Sequence, residues 1–567
     1  MFRPIILFFT ANSKEKNYAC DYAAVATDEE PLPAHLHPML FPGIISKICS
    51  YLPTQDLVNS RLICHAWNTE AVPILQKRIH HLKVYPRKMR DFLRTFRRSH
   101  DLPVQSFTFY ADHSEHMLLM DTVTETIPHC IVSLKLKIAG QELPNVSKIL
   151  QNLRWLKDLS IFRIPEKCLP PSYRKYETLE EDLNLPFLTS ICFGNTNPAL
   201  PFICNYDNFI TDIINGAENL VNLEFQNWKS SLQQVLRFAE LPRTLERLSL
   251  NGVSVKESEV ATLKKKNLSL KHLTITLGSS IRDVTLSGFF QSLENSLEIL
   301  EIICEKPHSN FPVHCQLPYL KVLRFQGWRC GVTLDNFTVY FPALEHIALL
   351  DFQFIGFTDY RDPTRSESLV RTVVAQPYEG DELAEMNIAS LVTAFPKTIR
   401  FKGYHFTDGM CDVIFKYWPQ LQFLCLEQCK NVSDFGLTGI PVTALWSENE
   451  TTPPLACRCD DQLRAAQSRM NFHIGNLQEL KYLYLKGKGF VTNASLHYGI
   501  LHLKYLTELE LPGDEIPWCV ECIAKINTLR TFYTRSVGEA MSDHDIIFLK
   551  DKIPALNTIY SYAQCKL

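Results

Sequence analysis

The residues of this sequence that could do chemistry are its cysteines and histidines, and their spacing speaks against it. CVEC (519–522) has the interval of half a zinc site, yet a structural zinc takes four ligands and no second pair stands at a suitable distance. CRC (457–459) has the wrong interval. The pair His80 and His81 falls where a helical stretch gives way to strand-like sequence, a place for solvated or capping imidazoles. A phosphate-cradling G-x-x-x-x-G-K, a nucleophile elbow G-x-S-x-G and an H-E-x-x-H helix are all missing from the sequence. A non-catalytic protein with no metal and no cofactor is therefore expected.

The elements that would carry any other function follow from composition and pattern. The 567 residues are 46% hydrophobic and 21% charged, a soluble globular balance with ample material for a core. A formal net charge of −3 gives no footprint for nucleic acid or an anionic membrane. The run Ile5 to Phe9 is far too short to span a membrane. Arg3 before it has the order of a leader, but Lys14, Glu15 and Lys16 follow too soon. The 18 cysteines are scattered, and Cys192, Cys304 and Cys425 stand in apolar strand-like runs where a small buried hydrophobe fits. Reduced thiols and a cytoplasmic or nuclear location are expected.

A repeat runs along most of the chain. LRWLKDLSI (153–161), LPFLTSICF (185–193), LPYLKVLRF (317–325), FPALEHIAL (341–349), WPQLQFLCL (418–426), LQELKYLYL (477–485) and LKYLTELEL (503–511) share one pattern. Apolar residues fall at spacings of three, three and two. The residue opening the last apolar-x-apolar pair is Leu82, Phe107, Leu134, Leu159, Ile191, Leu223, Leu248, Leu273, Leu300, Leu323 and Ile347, then Ile399, Leu424, Leu483, Leu509, Phe532 and Ile559. The period is about 26 residues, that of leucine-rich repeats. The intervals from Ile347 to Ile399 and from Leu424 to Leu483 each fit two repeats, with Val373 as one degenerate copy and another near residue 454.

The alternating pair points inward from a short strand. No repeat can bury that face alone, so neighbours stack and share a core. After the strand, FTDGMC (406–411), VSDFGL (432–437), VTNASL (491–496) and MSDHDI (541–546) place Thr407, Ser433, Thr492 and Ser542 as helix N-caps, with acids suited to the positive dipole end. LQFLCLEQCKNVSDFGL (421–437) resembles the cysteine-containing subtype of leucine-rich repeats, with Cys429 at its hallmark position. The expected fold is α/β: a solenoid over 79–567, a horseshoe with a concave parallel sheet and convex helices. Insertion loops are expected at 441–472 and over 355–385.

Ahead of the repeats, LFPGIISKICSYLPTQDLVNSRLICHAWN (40–68) gives three short helices, with Thr54 capping the second. They are too few to bury their own apolar surface well. The segment resembles the F-box motif at Leu40, Ile44, Ile45, Ile48, Ser50, Tyr51, Leu52, Asp56, Leu57, Ile63, Cys64 and Trp67. It departs from it where Phe41 replaces a proline, Pro42 comes one place late and Gly43 replaces an acid. The resemblance to F-box/leucine-rich-repeat proteins divides the chain into a tail (1–33, expected to be disordered), an F-box (34–78) and the repeats.

That resemblance implies a substrate receptor of a Skp–cullin–F-box (SCF) ubiquitin ligase, which marks a target for proteasomal degradation without doing bond chemistry itself. The Skp adaptor, linking to cullin and RING subunits, would be held by Leu40, Pro42, Ile44, Ile45, Ile48, Tyr51, Leu52, Leu57, Ile63, Cys64 and Trp67. An unnamed protein target would lie on outward strand positions: Glu224, Gln226, His272, Phe423, Glu427, Tyr482, Tyr484, Lys486, Glu508 and Glu510. Tyr482 and Tyr484 have the character of binding anchors, or pack across strands as pairs do. The competing reading is a leucine-rich-repeat scaffold or receptor without a ligase.

Overall fold

The computed structural model describes residues 42–60, 63–78, 82–85, 105–111, 114–139, 144–164, 183–196, 207–227, 232–278, 281–304, 315–331, 337–353, 368–377, 384–428, 431–440, 472–487, 491–512, 518–536 and 541–563. The chain divides into two compact units, Met1–Asn227 with Phe238–Thr244, and Trp228–Arg237 with Leu245–Leu567.

The first unit opens with helices α1 (Pro42–Tyr51), α2 (Thr54–Ser60) and α3 (His65–Arg78). Six parallel strands follow: β1 (Leu82–Val84), β2 (Ser106–Ala111), β3 (Ser133–Ala139), β4 (Asp158–Ile164), β5 (Ser190–Asn195) and β6 (Asn222–Gln226). Leu82, Phe107, Leu134, Leu159, Ile191 and Leu223 are register partners in series, as the repeat predicts.

The second unit holds β7 (Arg247–Val255), β8 (His272–Leu277), β9 (Ile299–Cys304), β10 (Val322–Gly331), β11 (His346–Gln353) and β12 (Thr372–Pro377). It continues with β13 (Arg400–Tyr404), β14 (Phe423–Glu427), β15 (Tyr482–Lys486), β16 (Glu508–Leu511), β17 (Thr531–Ser536) and β18 (Thr558–Ala563). Here too the repeat residues meet in register. Leu248, Leu273, Leu300, Leu323, Ile347 and Val373 form one run, and Leu424, Leu483, Leu509, Phe532 and Ile559 another. All are buried except Leu82 and Ile559, on the first and last strands, where an end repeat lacks cover. Each buried side chain contributes about 1.5–3 kcal/mol, so the shared core is what holds a stack of individually unstable repeats.

Three expectations need correction. Val373 pairs with Phe401, and Phe401 with Leu424, so the register residue of β13 is Phe401; Ile399 lies half-exposed just before the strand. Both sit in apolar-x-apolar patterns, and only pairing with the neighbours decides between them. Second, β14 pairs directly with β15, so no strand intervenes between Leu424 and Leu483 and the wide interval is one repeat step carrying an insertion. Residues 441–471 of that insertion, with the copy sought near 454, lie outside the described residues. Third, the loop over 355–385 contains β12, with Val373 buried as the degenerate repeat. The 1–33 tail, His80, His81 and Cys429 also lie outside the described residues.

The four expected N-caps are all present. Thr407 accepts from Met410 N, Ser433 from Phe435 N, Thr492 from Ala494 N and Ser542 from Asp545 N. The acid after the cap does more than meet its own helix dipole: it reaches forward to the next repeat. The Asp408 carboxylate accepts from Ser433 N (2.7 Å) and Oγ (2.6 Å). Asp434 accepts from Thr492 N (2.8 Å) and Oγ1 (2.6 Å) and from Ser495 N (3.2 Å) and Oγ (2.5 Å). Glu257 does the same earlier, taking Arg282 Nε (2.6 Å) and Thr285 Oγ1 (2.7 Å). Ser542 donates within its own helix, to Asp545 (2.6 Å), whereas the Ser433 and Thr492 hydroxyls each accept from their own helix and donate to the preceding one. Gly436 is needed for this: a Cβ there would strike the Asp408 carboxylate.

Candidate functional site

Two places could recognise a partner: the helices α1–α3 in the first unit and the outward strand face of the second. In α1, residues at spacings of four and three split between two faces. Ile45 and Cys49 turn inward with Leu57 of α2 and Trp67, Ala71 and Leu75 of α3, and Ile48, Leu52 and Ile74 pack against them. Ile44, Lys47 and Tyr51 form the opposite stripe, with Ile44 42% and Tyr51 75% exposed and the Lys47 ammonium 5.3 Å from the Tyr51 ring centre. Ile63, in the turn between α2 and α3, is 62% exposed, and Cys64 beside it is exposed. The Cys64 carbonyl accepts from Asn68 N, starting α3.

The residues assigned to adaptor contact therefore divide. Ile45, Leu57 and Trp67 are the interior of the three-helix cluster, contrary to the expectation that so small a set could not seal its core. Ile44, Tyr51, Ile63 and Cys64 are free to meet a partner. Ile48 and Leu52 are half-buried at the boundary. Pro42 is the first residue of α1, and Leu40 lies outside the described residues.

On the second unit, seven of the predicted contact residues come together on β14–β16. Phe423 packs on Tyr482 (ring centres 6.2 Å) and Tyr484 (5.5 Å). The aromatic row continues from Tyr484 to Tyr533 (6.3 Å) and Tyr560 (4.9 Å, stacked). Tyr482 and Tyr484 are half-buried, so cross-strand packing accounts for part of their surface. Beside this row Glu427 is clamped between Lys402 (3.2 Å) and Lys486 (3.3 Å), and Lys486 also reaches Glu510 (3.5 Å). Glu510 is only 6% exposed, less accessible than a contact residue was expected to be. His272 lies apart on β8, and Glu224 and Gln226, hydrogen-bonded at 2.8 Å, lie on β6 in the first unit.

The electrostatics of this face are internally balanced. Burial alone would raise the Glu427 carboxyl, but Lys402 and Lys486 outweigh it and hold it below the usual carboxylate range. Burial, then the hydrogen bond to Glu508 (2.5 Å), pushes the Tyr484 phenol well above its ordinary value. Burial likewise pushes the Cys425 thiol up to about 12, with Glu427 adding to it. Cys192 and Cys425 are thus inert packing residues, as their strand positions suggest, and Cys304 is buried with them. Cys519 sits at the start of the helix Val520–Ile523, its N–H donating to Asn493 Oδ1 at 2.7 Å. Among the described residues no group of three or more metal-ligating side chains converges, and no helix is long and apolar enough to cross a membrane.

Sequence reasoning missed the residues that rigidify this face. β13 is backed by Trp418, whose indole N–H donates to the Phe395 carbonyl (2.9 Å) and whose ring lies 5.2 Å from Phe401. The chain leaves its strands through left-handed residues, His405 after β13 and Gln428 after β14. Histidine is among the types enriched in that region, whereas Gln428 gives no such signal.

No family model matches this chain, and no curated protein matches it. Its structure is similar to the mouse RP105/MD-1 complex at 13% identity, covering 80% of this chain and 69% of that one, with a TM-score of 0.40. It is also similar to an internalin from Listeria monocytogenes (14% identity, 67% and 82% covered, TM-score 0.31). A Leptospira interrogans LRR protein is a third (15% identity, 75% and 95% covered, TM-score 0.30). The strand register and shared core of its own repeats give the chain a leucine-rich-repeat architecture.

Proposed function

We propose that this chain is a substrate receptor of an SCF ubiquitin ligase, with α1–α3 docking on the Skp adaptor and the outward strand face holding the target. The observation that carries the reading is the exposure of three apolar side chains, Ile44 and Tyr51 on one face of α1 and Ile63 in the turn between α2 and α3, on helices whose inward faces are already sealed. Such side chains on an independent small core are what a docking module needs: a rigid scaffold behind and apolar anchors in front. The aromatic row from Phe423 to Tyr560 supplies the same kind of anchor for a protein target. Under this reading the chain acts by raising the effective concentration of target lysines near an E2 held elsewhere in the assembly.

A second reading, a protein-binding scaffold without a ligase, is favoured by one fact. The buried Ile45, Leu57 and Trp67 show that the helices close their own core without a partner. Binding to purified Skp adaptor separates the two. Wild-type chain is expected to bind at micromolar concentration, and Ile44→Asp with Tyr51→Asp to weaken binding at least about tenfold at unchanged helix content. Both side chains already face water, whereas Ile45→Asp would unfold the cluster and test nothing. No binding by the wild type leaves the scaffold reading standing.

A further inference from the structure

The outward face of the second unit satisfies most of its polar groups internally. Thr274 (3.1 Å) and Arg324 (2.7 Å) both donate to Glu301, and Gln376 donates to Asp351 (2.7 Å). Lys402 and Lys486 hold Glu427, and Tyr484 holds Glu508. One stretch breaks this pattern. His346 on β11, Thr372 on β12 and Arg400 on β13 are successive register partners. They alternate with the buried Ile347, Val373 and Phe401, so all three project from the outward face. None of the three side chains has a hydrogen-bond or ion-pair partner among the described residues.

All three can donate hydrogen bonds, and the guanidinium carries five N–H groups with no acceptor. Arg400 is exposed, its guanidinium carbon 4.8 Å from the centre of the Phe423 ring. The next outward row holds the short Ala348 and Val374 between the long Arg324 and Lys402. His346 is half-buried, and burial, then Arg324 and Arg400, lower its basicity. A neutral imidazole, a hydroxyl and an uncompensated guanidinium in one row give a local donor excess with positive potential. Its complement is an anion.

We infer that the outward face of β11–β13 receives a side-chain carboxylate of a polypeptide partner, held by Arg400 with the Thr372 hydroxyl on the next strand and His346 adding a donor at the edge of the row, while the partner's adjoining apolar side chain rests on Phe423 and Tyr482. This deepens the proposed reading and rests on it for the nature of the partner. Phe423 joins the cationic stretch to the aromatic row, so one short peptide can use both. A carboxylate suits the charge count better than a phosphate. Among the described residues Arg400 has no carboxylate partner, while Arg324 and Lys402 in the next outward row already hold Glu301 and Glu427, and a dianion asks for more. Glu508 and Glu510, beyond Tyr482, repel a second acid and fix the peptide's polarity across the strands.

Selection of a random-peptide phage library on the full chain, without the Skp adaptor, tests this independently of ligase assembly. Wild-type protein is expected to enrich peptides with Asp or Glu next to Phe, Tyr or Leu. Arg400→Ala is expected to weaken the leading peptide at least about tenfold, the scale of a charge-assisted hydrogen bond. Arg400→Glu is expected to reverse the preference to Lys or Arg. Arg400 is exposed, so helix content by circular dichroism is expected to match wild type and serves as the folding control. No acidic enrichment, or equal binding by wild type and Arg400→Glu, overturns the inference. A phosphoserine peptide bound more than about tenfold tighter than its glutamate form overturns the carboxylate assignment. Adaptor binding by α1–α3 is untouched by any of these outcomes.

Discussion

The Asp434 carboxylate closes the repeat stack across the insertion, and removing it gives a sharp test of how that closure works. Asp434 is 4% exposed, and its partner Ser495 is 0% exposed. Asp434→Ala deletes an acceptor for four hydrogen bonds, two from backbone N–H groups and two from hydroxyls. The hydroxyls can turn toward other acceptors, but the amides of Thr492 and Ser495 are fixed by the start of the helix Asn493–Tyr498. Hydrogen bonds to a charged acceptor are worth about 1.5–3 kcal/mol each. Counting only the two amides, the loss is about 3–6 kcal/mol, among the larger effects of single substitutions. Hydrogen–deuterium exchange is the apt assay because it reads stability locally in a long repeat chain. Peptides covering 491–498 are expected to lose a factor of about 10² or more in protection. Asp434→Asn, which keeps one acceptor oxygen, is expected to lose roughly half that free energy. A loss below about tenfold for Asp434→Ala would show that helix stacking alone holds β14 against β15.

Two further outcomes follow from the electrostatics of the same face. With its thiol at about 12, Cys425 is expected to present a thiolate fraction of about 10⁻⁴ at pH 8 and to resist iodoacetamide in native protein while exposed Cys64 is labelled; equal labelling by mass spectrometry would contradict the burial. Glu427 is held below its ordinary range, so its stabilisation is complete above the unfolded value of about 4.3 and is lost as pH falls through the folded value. Glu427→Gln is therefore expected to be less stable than wild type at neutral pH, with the gap closing below about pH 4 in urea titrations; a gap independent of pH would sever Glu427 from its lysines.

The repeat was legible in the sequence because its signal is apolar spacing, and spacing is set by the strand itself. Side chains alternate along a strand, so Leu134, Leu300 or Leu483 had to turn inward wherever the strand lay. The caps were legible for the same local reason: a hydroxyl at Thr407 or Ser433 serves amides two or three residues away. The choice of Phe401 over Ile399, the direct pairing across 441–471, and the forward reach of Asp408 and Asp434 involve residues from different repeats.

The same division runs through the candidate sites. Sequence alone determined that α1 is amphipathic and that Phe423, Tyr482 and Tyr484 point outward. Only tertiary structure decided that Ile45 and Trp67 are interior while Ile44 and Tyr51 face water, because burial depends on which helix face meets a neighbour. Only register could place Arg400 in one row with His346 and Thr372 and leave it, among the described residues, without a carboxylate, because an ion pair is a property of adjacent strands and a sequence read singly does not hold the neighbour.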